Sequence, residues 1–163
     1  MAIGPALPET SLVPDNNIFT HWRNGQHYVL REIAAYQIRL KLPPTLASFT
    51  IFEALYGIED SLVKGQISEE KSEQYRGRVK TLSRESIVLG FNEAAAAIAA
   101  YVFPRLISRL SKKKRKAPWH DLFIAATAVA NGHGIATLDR QDFELIGSLL
   151  PNDLILRFAN WKP

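Results

Sequence analysis

Four carboxylates, Asp15, Glu53, Asp121 and Asp139, stand where short apolar runs meet helical patterns. Asp15 directly follows Ser11-Leu12-Val13-Pro14, and Asp139 follows Ile135-Ala136-Thr137-Leu138. Asp121 opens the apolar run Leu122–Ala130, and Glu53 lies early in the helical pattern that succeeds Thr45–Phe49. In an open parallel sheet, a strand's exit and the entry of a neighbouring helix lie at the same edge, where such sheets bind their ligands. Four acids sharing that edge would raise one another's pKa values unless a cation compensated them. Oxygen donors select a hard ion, so the expected metal is Mg²⁺ or Mn²⁺ rather than zinc or copper. A centre of that kind hydrolyses phosphodiesters, because the metal activates water and neutralises charge on the transferring phosphoryl group.

Each acid also has a plainer reading. Asp15 or Asn16 suits the N-cap of a helix. Glu53 stands three residues after Thr50, the spacing of a capping box. Glu93 reads first as an acid favoured by a helix N-terminus and only second as an auxiliary member of a site. His120, beside Asp121, reads as an ordinary surface or capping residue rather than a general acid. Trp22, Trp119 and Trp161 read as core or rim packing, with Trp119 the best placed to stack a base.

The elements that would position these side chains follow from pattern. Leu122–Ala130 is apolar on nearly every side and predicts a helix buried over most of its circumference. Asn131-Gly132-His133-Gly134 ends it, and Ile135–Leu138 predicts a strand. Upstream, the pattern predicts a strand at Ser11–Pro14, a helix over Tyr28–Arg39 stopped by Pro43-Pro44, a strand at Thr45–Phe49 and a helix from Thr50. Ser68–Arg84 predicts a solvated helix capped by Ser68, Ile87–Leu89 a third strand, Glu93–Leu110 an Ala-rich helix capped by Asn92, and Leu154–Leu156 a last strand. Short strands interleaved with helices make an α/β sandwich with a mostly parallel central sheet of four or five short strands.

The chain has 163 residues, one domain over 1–163 by length, with 47% hydrophobic and 22% charged residues as in ordinary globular proteins. It holds no cysteine, which excludes disulfides, thiolate metal sites and a thiol nucleophile. The opening MAIGPALPETS lacks the pattern of a signal peptide, and the longest apolar runs fall short of the roughly 18 residues of a membrane span. A cytoplasmic location is the expectation. The net charge is +4, and setting four acids aside in a site leaves the remaining surface more basic still. Lys112, Lys113, Lys114, Arg115 and Lys116 form one cationic run just before Trp119 and Asp121. Such a run belongs in solvent, and its position favours contact with a phosphate backbone over a merely solubilising loop.

The pattern from Asp121 to Phe143, D-x-x-I-A-A-T-A, then glycine, then A-T-x-D-x-x-D-F, resembles the C-terminal signature of PIN-domain ribonucleases of the VapC type, toxins of prokaryotic toxin–antitoxin pairs. Glu53–Gly57, E-A-L-Y-G, is similar to that family's second acidic motif. Asp15-Asn16-Asn17-Ile18 resembles its D-T-N opening, with Asn16 in place of the hydroxyl residue that would support the acid. The resemblance runs from about Leu12 to Leu156 and implies a PIN-like three-layer sandwich. It implies Asp15, Asp121 and Asp139 as principal metal ligands, Glu53 as a ligand or water-orienting base, and Asn17, Thr137 and Asp142 as supporting residues. It further implies an RNA substrate, a VapB-like antitoxin whose tail enters the cleft, and a homodimer. The alternative is a catalytically weak RNA-binding or protein-interaction module on the same fold.

Overall fold

The computed structural model describes residues 3–111 and 118–161. The first half of the chain runs β1 (Ile3–Pro5), β2 (Leu12–Pro14), α1 (Asn16–Arg23), α2 (His27–Leu40), β3 (Thr45–Ala47), α3 (Ser48–Val63) and α4 (Glu69–Arg84). The second half runs β4 (Ile87–Leu89), α5 (Glu93–Ser111), α6 (Trp119–Ala130), β5 (Gly134–Thr137), α7 (Gln141–Gly147) and β6 (Leu156–Asn160). Four strands form one sheet in the order β1-β6-β5-β2, and every pairing in it is parallel. β3 and β4 make a second parallel pair beside β2.

Successive strand residues point to opposite faces, and the sheet uses this to feed two cores. Val13, Ala47, Ile135 and Phe158 join the core built with α5, α6 and α7. Their neighbours Leu12, Leu46 and Ala136 join the core built with α1, α2, α3 and α4. The sheet is thus the middle of three layers, as expected, and β5 is buried at all four positions. Gly134 is required there, because a Cβ would lie 2.8 Å from the Arg157 carbonyl oxygen of β6. Gly132, at φ +71°, supplies the left-handed residue just past the end of α6.

The expected caps form: Asp15 Oδ1 accepts from the Ile18 N–H at 2.7 Å, Ser68 Oγ from Lys71 at 3.2 Å and Asn92 Oδ1 from Ala95 at 3.0 Å. Other boundaries move. β3 ends at Ala47 and α3 begins at Ser48, so Thr50 is already inside the helix and its buried hydroxyl donates to the Pro14 carbonyl at 3.4 Å. The capping-box reading of Glu53 is therefore wrong, since α3 starts without a side-chain cap and Glu53 lies beyond its first turn. β1 is an addition, and the last strand falls at Leu156–Asn160 rather than Leu154–Leu156. Trp22 and Trp161 are core, as expected. The run Lys112–Lys116 lies outside the described residues. Among the described residues no helix is long and apolar enough to cross a membrane.

Candidate active site

β2 and β5 are adjacent and in register, Pro14 opposite Ala136, so their carboxyl ends finish at one edge. Asp15 leaves β2 there, and its N–H still donates to the Ala136 carbonyl at 2.9 Å, as though the strand ran one residue further. Its carboxylate caps α1 with one oxygen, while the other lies 2.7 Å from the Thr137 hydroxyl at the end of β5. That hydroxyl has a single proton to give, shared between Asp15 Oδ2 and the Asp139 carbonyl at 2.8 Å, and it accepts from the Asp139 N–H at 3.0 Å. Thr137, fully buried, thus ties the first acid to the turn that carries another. The support that Asn16 does not give Asp15 comes from across the sheet.

The first turn of α6 and the second turn of α3 reach the same edge. Asp15, Asn16, Asn17, Glu53, Trp119, His120, Asp121 and Asp142 line one cavity of about 360 Å³, with Pro118. The structure therefore brings together three of the four expected ligands and the supporting Asn17 and Asp142. Asp139 stands differently: it is exposed, is not on the cavity wall, and accepts the Gln141 N–H on Oδ1 at 3.0 Å. Its charge nonetheless reaches both Asp15 and Asp121. Glu93, the auxiliary candidate, is exposed and absent from the wall.

The electrostatics are those of too many carboxylates in too little water. Burial, then the charges of Asp15, Asp142 and Asp139, pushes Asp121 up to about 7. Burial, then Asp121 and Asp15, pushes Glu53 up to about 7 as well. Asp15 is raised chiefly by burial, against the hydrogen bonds from Ile18, Thr137 and Asn17 that favour its charged form. His120, the residue that sequence reasoning undervalued, places Nδ1 2.5 Å from Glu53 Oε1. The other Glu53 oxygen and Asn16 Oδ1 are buried without a hydrogen-bond partner. The signal for His120 was its place beside Asp121 on the first turn of a helix that enters the site.

These residues fit a hard divalent cation. The carboxylates and amides offer oxygen donors, the acids carry uncompensated negative charge, and two buried oxygens are left unpartnered. Among the described residues no three His, Asp or Glu side chains are packed tightly enough to form a closed ligand group as they lie. They stand around the cavity rather than against one another.

A three-layer sandwich on a parallel sheet, with acids gathered at the carboxyl ends of β2 and β5, defines a PIN-like domain. No family model matches the chain. A protein named Ribonuclease VapC from Rickettsia bellii is 42% identical over 50 residues, 31% of this chain and 37% of that relative, so the matched segment spans little over a third of its length. The crystal structure of VapBC2 from Rickettsia felis, bound to a DNA fragment from their promoter, superposes with a TM-score of 0.68 at 18% identity, covering 93% of this chain and 98% of that one. DNA-bound VapBC from Salmonella typhimurium superposes with a TM-score of 0.65 at 21% identity, covering 94% and 99%. In fold, a PIN-like domain with a mostly parallel central sheet, this chain is similar to the chains of those VapBC complexes.

Proposed function

We propose that the chain is a divalent-metal-dependent endoribonuclease, the toxin of a VapBC-type toxin–antitoxin pair acting in the cytoplasm. The observation that carries this reading is the cavity at the sheet edge, in which Asp15, Glu53, Asp121 and Asp142 meet with one Glu53 oxygen buried and unpartnered. Asp15 and Asp121 would hold Mg²⁺ or Mn²⁺, with Glu53 as a further ligand or as the base, and Asp139, off the wall, would complete the set only by turning from its Gln141 contact. A bound ion of that kind lowers the pKa of water and neutralises charge on a phosphoryl group.

The chain's own residues divide the remaining work. Thr137 and the α1 backbone fix both oxygens of Asp15, so this acid enters the reaction already oriented. Glu53, poised at about 7 and bonded to His120, is suited to take a proton at its carboxylate near neutral pH. Asp142, also on the wall, adds negative charge opposite Asp121. Trp119 gives the cavity a flat aromatic side for a nucleobase, and Lys112–Lys116, next to it in sequence, would hold phosphates. The solved relatives are complexes such as VapBC, which supports a VapB-like antitoxin as partner, and a homodimer completes the reading. The hint of weak activity in Asn16 loses force, because Thr137 supports Asp15 instead.

The test is cleavage of a fluorescent single-stranded RNA with Mn²⁺, with chelator, and with Asp121→Asn. Cleavage that needs the metal and is lost in the variant supports the proposal. Cleavage that persists in Asp121→Asn refutes the site, and folded protein that neither binds Mn²⁺ nor cleaves favours the interaction module.

A further inference from the structure

The acid cavity does not end at Glu53. Asn16 and Glu53 also line a second hollow of about 200 Å³, together with Thr20, Ser61, Tyr75 and Arg23. Arg23 in turn borders a third cleft of about 490 Å³ between the end of α1 and the middle of α4, where Arg78 is the second cation. Shared lining residues therefore set the three side by side along the Asn16, Thr20 and Arg23 positions of α1, acidic at one end and basic at the other.

The basic end is left uncompensated. Arg76, on the same helix, is paired at 2.6 Å with Glu59 and at 2.8 Å with Glu69. Arg23 and Arg78 have no carboxylate within ion-pair reach among the described residues. Arg23 packs its guanidinium over the Tyr75 ring at 4.9 Å, with Nε buried and unpartnered. Burial, and the nearby charge of Arg78, hold that guanidinium below its ordinary value without neutralising it. Two arginines on one cleft, one with a spare buried donor, cost free energy until an anion arrives, and a guanidinium fork matches phosphate oxygens.

We propose that Arg23 and Arg78 form a phosphodiester-binding subsite that holds the backbone of a single-stranded RNA whose scissile bond lies in the acid cavity. This rests on the nuclease reading above. A phosphate is repelled by the four carboxylates themselves, so a strand threading that cavity needs cations further along its path. The hollows next to the acid cavity lead along α1 to Arg23 and Arg78, while Arg76 is already satisfied. Continuity with the acids favours an RNA strand over an acidic peptide, which has no reason to begin at carboxylates.

The test uses the full chain carrying Asp121→Asn, which binds without cutting, and a fluorescein-labelled twelve-nucleotide oligouridylate followed by anisotropy across a salt series. Adding Arg78→Gln is expected to weaken binding about tenfold, the size of a lost charged hydrogen bond. It should also lower the slope of log affinity against log salt by about 0.7, one phosphate contact on a single strand. Arg23→Gln should do the same, and Arg76→Gln, equal in charge change, should do much less. Arg78 is exposed, so its variant carries the test whether or not the half-buried Arg23 tolerates replacement. Equal losses in Arg76→Gln and Arg78→Gln would reduce the effect to net charge and overturn the subsite. Binding untouched by either Arg23→Gln or Arg78→Gln would overturn it while leaving the nuclease reading intact. Arginine-dependent capture of a polyglutamate peptide, with no capture of oligouridylate, would assign the cleft to an acidic protein segment instead. No oligouridylate binding together with no cleavage by the wild type would remove both readings.

Discussion

Asp121→Asn should make the metal-free protein more stable, and only above acidic pH. An ordinary aspartate ionises at 3.8, whereas Asp121 in the folded chain is pushed up to about 7 by burial and by Asp15, Asp142 and Asp139. Between those values the unfolded chain releases the proton and the folded chain keeps it, so stability falls as pH rises from about 4 to about 7 and is level above. The full difference corresponds to about 4 kcal/mol, and water at the cavity mouth screens the carboxylate, bringing the expected loss to about 2 kcal/mol. The asparagine variant has no such loss. For a chain of this length, about 2 kcal/mol is a melting temperature higher by about 4–8 °C at pH 8. The assay is thermal unfolding of both proteins in chelator at pH 4.5 and pH 8. The advantage should be large at pH 8 and shrink towards nothing at pH 4.5. Excess Mn²⁺ should raise the wild type far more than the variant, by mass action on the folded state. An advantage that is absent at pH 8, or equal at both pH values, would refute the reasoning that Asp121 sits in a strained, uncompensated acid cluster.

Removing the Thr137 hydroxyl with Thr137→Val keeps the volume but strips Asp15 Oδ2 of its donor and the Asp139 N–H of its acceptor. Chemical denaturation should show a loss of about 1–3 kcal/mol, and RNA cleavage should fall with it. Mn²⁺ affinity should rise steeply as pH passes through about 7, because Glu53 and Asp121 must release protons to bind it. Isothermal titration at pH 6 and pH 8 checks this, and equal affinities would contradict it. Gly134→Ala should cost about 1–3 kcal/mol or more by forcing β5 from β6, read as a lowered unfolding midpoint.

Much of this architecture was legible because it rests on local chemistry. Ser68, Asn92 and Asp15 cap where their side-chain oxygens meet free N–H groups one turn on, which needs only neighbours in sequence. The strand Ile87–Leu89 and the apolar helix after Asp121 were equally plain. β1 was not, since Ile3-Gly4-Pro5 carries two residues that weaken strands and pairs with β6, over 150 residues away. β6 was misplaced because Leu154–Leu156 is the more apolar run. The alternation of Leu156 and Phe158, both buried, with Arg157 between them was the truer strand signal. The start of α3 shifted because Phe49 packs against Phe123, Trp119 and Phe91, contacts that no local pattern reveals. At the site, the acids were visible as residues at element boundaries. The contact of His120 with Glu53, the tie from Thr137 to Asp15 and the withdrawn position of Asp139 depend on how distant segments meet.

The strand order carries a consequence for the newborn chain. β5 lies between β2 and β6, and β6 between β5 and β1, so the two earliest strands never touch. When residues up to the start of α5 have emerged, β3 and β4 can already pair behind Glu53, but β2, which leads to Asp15, still lacks its partner β5. The edge that gathers the acids arises only when the last strands slot in between the first. Such a fold closes its acid cavity only once β5 has emerged, in a late step, and a chain cut short before β5 lacks the strand that ties Asp15 to the edge.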